Sequence, residues 1–175
     1  MKNNKANKTV LAAFFLALAY VMPFLTGQIP EVGAMLCPMH IPVILCGFIC
    51  GWKWGLLVGF IAPLFRSFTL GMPTFFPKAL CMAFELATYG MIAGAMYNKL
   101  PNRKLNIYSS LLTSMVMGRI VWGSAMYLCI GIGGKFTFSA FIAGAVTNAI
   151  PGIIAQIVII PIIVMVAEKI KLIKE

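Results

Sequence analysis

Arg66, Glu85 and Arg119 stand inside runs whose other side chains are soluble in lipid, and His40, the single histidine, opens another such run. A charged side chain near the middle of a membrane span costs at least about 2.5 kcal/mol on insertion scales. A plain hydrophobic anchor has no reason to carry that cost. Two arginines and one glutamate make a net positive, partly desolvated set, and guanidinium groups recognise carboxylates through charge-assisted hydrogen bonds. The chemistry on offer is capture of a small molecule that carries a carboxylate. Tyr89 follows Glu85 by one helical turn, Trp122 follows Arg119 by about one, and Asn148 adds an amide. Each residue also has a structural explanation. Arg66 and Glu85 would make an intramembrane ion pair, Arg119 would snorkel to headgroups, His40 would cap its helix, and Asn148 would bond a neighbouring backbone. Catalytic patterns are missing. One histidine makes no metal cluster, only Glu85 of the four carboxylates is buried in a span, and neither Gly-x-Ser-x-Gly nor Gly-x-x-x-x-Gly-Lys occurs. No enzyme activity, metal or cofactor is implied.

Groups so placed need helices around them, and composition supplies these. Of 175 residues 61% are hydrophobic and 10% charged, more apolar surface than a soluble domain of this size can hide. The expected class is an all-α integral membrane protein. The first apolar run follows Lys2, Lys5 and Lys8 but is long, so it reads as a first span rather than a signal peptide. The net charge of +10 does not point to nucleic acid, because the basic residues gather at the ends of apolar runs. Five cysteines without a Cys-x-x-Cys read as reduced helix-packing residues.

With about 20 apolar residues per crossing, the chain divides into six spans at about 9–25, 39–51, 55–70, 78–97, 105–130 and 136–167 within one domain, 1–175. The second is short for a crossing. Trp52-Lys53-Trp54 reads as a tight turn with interfacial anchors, and the sixth span as broken at Pro151 and bent at Pro161. Ten positive residues flank one side, namely Lys2, Lys5, Lys8, Lys53, Lys99, Arg103, Lys104, Lys169, Lys171 and Lys174, against Lys78 and Lys135 on the other. That asymmetry makes both termini cytoplasmic. Glycines four apart at 47, 51, 55 and 59, and at 90 and 94, read as helix-packing positions.

The topology gives each polar residue a depth. Arg66 lies about 17 Å and Arg119 about 21 Å above the inner ends of their spans, and Glu85 about 10 Å below the outer end of its own. His40 falls at the outer mouth of the second span, and Asn148 and Gln156 fall within the sixth, Asn148 near mid-depth. Four helices thus bring a polar group to one outward layer.

The chain resembles the S components of energy-coupling-factor (ECF) vitamin transporters. The likeness rests on six short spans, a basic N-terminus, Ala13-Phe-Phe-Leu-Ala17 in the first span, and a central block. That block comprises Pro38-Met-His-Ile-Pro-Val-Ile-Leu-Cys-Gly-Phe, Ala62-Pro-Leu-Phe-Arg66 and Ala83-Phe-Glu-Leu-Ala-Thr-Tyr-Gly90. The resemblance implies a prokaryotic plasma-membrane bundle that binds a vitamin on its outer side. It also implies partnership with a transmembrane coupling subunit and two cytoplasmic ATPases, docked through Ala13 and Ala17, and loops 26–38, 71–77 and 131–135 acting as lids. Pantothenate is the expected ligand, its carboxylate suiting Arg66 and Arg119. The alternative is a queuosine precursor, with Glu85, Asn148 and Trp122 around a purine-like ring, or another vitamin. A different class, a self-sufficient homo-oligomeric transporter or channel, also accommodates the packing glycines.

Overall fold

The structure is a computed structural model that describes residues 5–26, 29–100, 104–131, 137–145 and 147–170. Among the described residues eight α-helices follow one another: α1 Lys5–Val21, α2 Pro30–Leu36, α3 His40–Cys50, α4 Trp52–Leu70, α5 Leu80–Lys99, α6 Lys104–Ile130, α7 Phe138–Ala145 and α8 Ile150–Lys169. No strand occurs among the described residues. Among the described residues four stretches are long and apolar enough to cross a membrane, Lys5–Leu25, Phe75–Lys99, Leu105–Ile130 and Phe141–Lys169, where six spans were expected. The expected second span is the short helix α3, and α4 carries Lys53 and Arg66.

Two expectations need correction and a third is located more closely. Trp52-Lys53-Trp54 is not a turn but the first turn of α4. The reversal is made by Gly51 alone, at φ 97°, a left-handed conformation that glycine adopts without steric cost. The 26–38 loop contains α2, because Pro30 stands in its first turn, where a missing N–H costs nothing. The sixth span breaks before Pro151, at the 3₁₀ turn Thr147–Ala149, and Pro161 is accommodated inside α8. The expected 131–135 lid, Lys2, Arg103, Lys135, Lys171 and Lys174 lie outside the described residues, apart from Gly131.

Glycines hold the centre together. A Cβ on Gly55 would sit 2.5 Å from the carbonyl oxygen of Gly90, and one on Gly94 2.5 Å from that of Gly47. Gly47, Gly55 and Gly59 thus face α5 on either side of the Gly51 reversal, and the backbones of α3, α4 and α5 touch. In lipid, where apolar burial drives nothing, such close packing is the main attraction between helices. Helix α3 is buried at ten of its eleven positions, and Val43, Ile44 and Phe48 form the core with Leu86, Ala93, Leu111 and Ile160.

Cross-contacts fix which helix ends lie together. Arg66 near the end of α4 reaches Tyr20 near the end of α1, and Cys81 at the start of α5 meets Cys129 at the end of α6. The start of α3, entered from α2, lies at this same end, opposite the Gly51 turn. At that opposite end the Tyr97 hydroxyl of α5 donates to the Glu168 carboxylate of α8. Lys5, Lys53, Lys99 and Lys169 lie at this second, basic end.

Candidate functional site

Glu85 and Tyr89 sit four residues apart on α5, so both face the same side of that helix. Opposite stands α6 with Arg119, whose Nη1 lies 2.9 Å from Glu85 Oε1. The Tyr89 hydroxyl donates to the same oxygen at 3.3 Å. His40 opens α3 with Nε2 3.5 Å from that oxygen and its ring edge-on to Tyr89, centroids 5.1 Å apart. Gly118 leaves room for this arrangement: a Cβ there would lie 2.8 Å from the Tyr89 ring. The second Arg119 nitrogen, Nη2, donates to Cys37 Sγ at 3.6 Å. Three helices and the residue that ends α2 therefore converge on one carboxylate.

Burial sets the electrostatics. The Glu85 side chain is 2% exposed and that of Arg119 15%, so each charge depends on the other for compensation. His40 is as buried, yet neither ring nitrogen has a hydrogen-bond partner. Its contact with Glu85 is close enough for electrostatic attraction but is not aligned as a hydrogen bond. A buried imidazole with both nitrogens unpaired is an incomplete site, since unpaired buried polar groups are costly and few.

Arg66 does not join this cluster. Its Nη1 donates to the carbonyl of Tyr20 at 2.9 Å, and its guanidinium lies 5.2 Å from the centre of the Phe24 ring. The cause is the change from α-helix to the 3₁₀ turn Met22–Thr26, which carries Pro23 and interrupts the helical ladder at the end of α1. A cation there caps a carbonyl and complements the helix dipole. The expected Arg66–Glu85 pair is thus replaced by Arg119–Glu85, and the expected net positive set becomes a neutral one beside His40. Trp122 is also directed elsewhere, stacked on Phe141 at 6.3 Å with Gly144 beneath its ring. Asn148 is exposed on the 3₁₀ turn rather than near mid-depth, because the twenty residues of α8 alone already span about 30 Å. Of the seven expected residues the structure brings together His40, Glu85, Tyr89 and Arg119. The one contributor that sequence reading passed over is Cys37, and its signal was its position three residues before His40 in a proline-bearing turn.

On the first helix Ala12, Phe15 and Ala19 are buried against the bundle, whereas Ala13 and Ala17 are exposed with Val10 and Phe14. The small pair therefore lies on the outer surface of the bundle.

Residues 7–164 match the family model of the ECF transporter substrate-specific component. The chain belongs to this family. It is a multi-pass membrane protein, the substrate-specific subunit of an ECF transporter, and works with an ECF module of coupling subunit and ATPases rather than hydrolysing ATP itself. No curated protein and no solved structure matches it. In this S component the cluster of buried polar groups lies near the α3 start and the Ala13–Ala17 face of α1 is exposed.

Proposed function

We propose that this S component captures pantothenate in the His40–Glu85–Tyr89–Arg119 cluster for uptake by the ECF module. The basic end of the bundle faces the cytoplasm under the positive-inside rule, so the cluster lies toward the outer side of a prokaryotic plasma membrane. The observation that carries the reading is the buried imidazole of His40 with both nitrogens unpaired beside a self-compensated Glu85–Arg119 pair. Pantothenate carries a carboxylate at one end and hydroxyl and amide donors along its length. Its carboxylate takes the place of Glu85 on Arg119 and accepts from a ring N–H of His40, while its donors supply the Glu85 oxygen that Arg119 releases. A neutral heterocycle such as a queuosine precursor meets less support, since Asn148 and Trp122 stand outside the cluster.

The exposed Ala13–Ala17 groove is the docking face for the coupling subunit, and α2, which ends at Cys37, is the lid segment nearest the ligand. Calorimetric titration of the purified protein with pantothenate and, separately, with the purine-like base tests the ligand. Saturable binding of pantothenate that weakens about 30-fold in Arg119→Ala, the loss of about 2 kcal/mol for a charge-assisted bond, is expected. Binding of the base alone would overturn the pantothenate assignment.

A further inference from the structure

Cys81 is the second residue of α5 and Cys129 the penultimate residue of α6, and their sulfurs lie 3.9 Å apart. Both are free thiols, Cys81 buried and Cys129 partly exposed. They line a shared apolar groove of about 330 Å³ with Leu80, Phe84, Val121 and Leu128, which opens on the side of the bundle. Cys46 and Cys50 lie on the buried helix α3, and Cys37 is covered and held by Arg119. Among the five cysteines this pair alone combines thiol-to-thiol contact across two helices with partial exposure.

We infer that Cys81 and Cys129 form an oxidisable dithiol whose disulfide staples the outer ends of α5 and α6 together. A disulfide bond is about 2 Å long, so closing the gap needs side-chain rotation and a small approach of two helices that are already packed. The reagent is a small-molecule disulfide. The Cys129 thiolate, being the more exposed, attacks one of its sulfurs, forms a mixed disulfide and releases the first small thiolate. The Cys81 thiolate then attacks Cys129 Sγ, the Cys81–Cys129 bond forms, and the second small thiolate leaves. The two cysteine protons end on the two released thiols, and two electrons pass to the oxidant. Thiol chemistry of the pair is independent of the ligand assignment. Its occurrence in cells rests on the proposed orientation, which turns this end toward the oxidising side of the membrane.

Cys81 precedes Glu85 by one turn of α5, while Cys129 lies ten residues beyond Arg119 on α6, so the staple would sit at the helix ends above the Glu85–Arg119 pair. It holds together the two helices that supply that pair.

The test exposes the full-length detergent-purified protein to oxidised glutathione, followed by intact mass measurement and non-reducing peptide analysis. The wild type should lose two hydrogens, retain no glutathione, and yield a Cys81–Cys129 cross-linked peptide. Cys81→Ala should instead hold one stable glutathione on Cys129. A wild type that stays reduced, keeps an adduct on Cys129, or links another pair of cysteines overturns the inference. Orientation is read separately, by labelling intact cells with a membrane-impermeant maleimide. Labelling of Cys129 without permeabilisation supports the cellular role. Labelling only after permeabilisation removes that role even where the purified protein forms the bond.

Discussion

Removing Glu85 takes from Arg119 its carboxylate partner, from the Tyr89 hydroxyl its acceptor, and from His40 the carboxylate oxygen 3.5 Å from its Nε2. Breaking a buried ion pair by deleting one partner typically costs about 3–5 kcal/mol. The Arg119 side chain keeps 15% of its exposure and is long enough to turn toward an interface, so Glu85→Ala should fall at the lower end, about 3 kcal/mol. Arg119→Ala should cost a similar amount because it strands Glu85, which has less access to water. The double variant E85A/R119A loses both charges together and should be about 2 kcal/mol more stable than the sum of the single losses, within the usual range for contacting groups. Glu85→Ala combined with Arg66→Ala should be additive to about 0.5 kcal/mol, since those two side chains share no contact. Reversible unfolding in mixed micelles titrated with SDS measures all four species and their combinations. Additivity for Glu85 with Arg119, together with coupling for Glu85 with Arg66, would refute the assignment of partners.

Arg66→Met should lower stability by about 1–3 kcal/mol, the range for losing a hydrogen bond that involves a charged group, yet leave pantothenate affinity within about threefold. Calorimetry beside SDS unfolding checks both halves. Gly90→Leu should abolish the folded protein altogether, because even a Cβ on Gly90 would overlap the Gly55 carbonyl, and its yield in a detergent gel-filtration peak reads this directly. Gly71→Ala meets open space and only an unfavourable φ of 69°, so a loss of about 1 kcal/mol is expected there. Replacing Ala13 and Ala17 with Leu should leave the isolated protein folded and ligand-competent but reduce co-purification with the ECF module and cellular uptake. Full uptake by that double variant would count against the docking face.

Much of the architecture was legible because lipid imposes a simple rule. Apolar runs bounded by lysines had to be helices, and glycines four apart had to be contacts, which is how Gly47, Gly55, Gly90 and Gly94 serve. Chain direction along the row of glycines across Gly51 was not legible, since a single residue with positive φ reverses the chain more sharply than the expected Trp52–Trp54 turn. The cluster was half legible. Depth along a helix follows from counting residues, and it brought His40, Glu85 and Arg119 to one layer. Direction around a helix depends on crossing angles, which a count does not contain. Arg66 shares that depth but points to α1, where Pro23 and the 3₁₀ turn leave a carbonyl to be capped. Asn148 was misplaced by the same kind of counting, because a break before Pro151 shifts the start of the last crossing. Cys37 escaped notice because thiols in apolar sequence are usually packing residues.

The position of the cluster follows from one short helix. Eleven residues carry α3 only about 16 Å, roughly half of a hydrocarbon core of about 30 Å. Its glycine contacts with α5, through Gly47, Gly90 and Gly94, hold it toward the basic end of the bundle, where Gly51 returns the chain into α4. The other half of that depth is taken on this path by the buried turn Cys37–Met39 rather than by a helix. Into it project the side chains that a full-length apolar helix would have excluded, Glu85 and Tyr89 from α5 and Arg119 from α6, with His40 forming the floor. Helix α2, packed over Gly152 at the start of α8, closes the approach and delivers Cys37 to Arg119. Lengthening α3 by one apolar turn before His40 should therefore fill the cluster from below and eject α2. Loss of pantothenate binding in such an insertion variant, with the α5–α6 cross-link of Cys81 and Cys129 still forming, would separate this geometric origin of the site from general unfolding. Retained binding would mean that the shortness of α3 does not create the space.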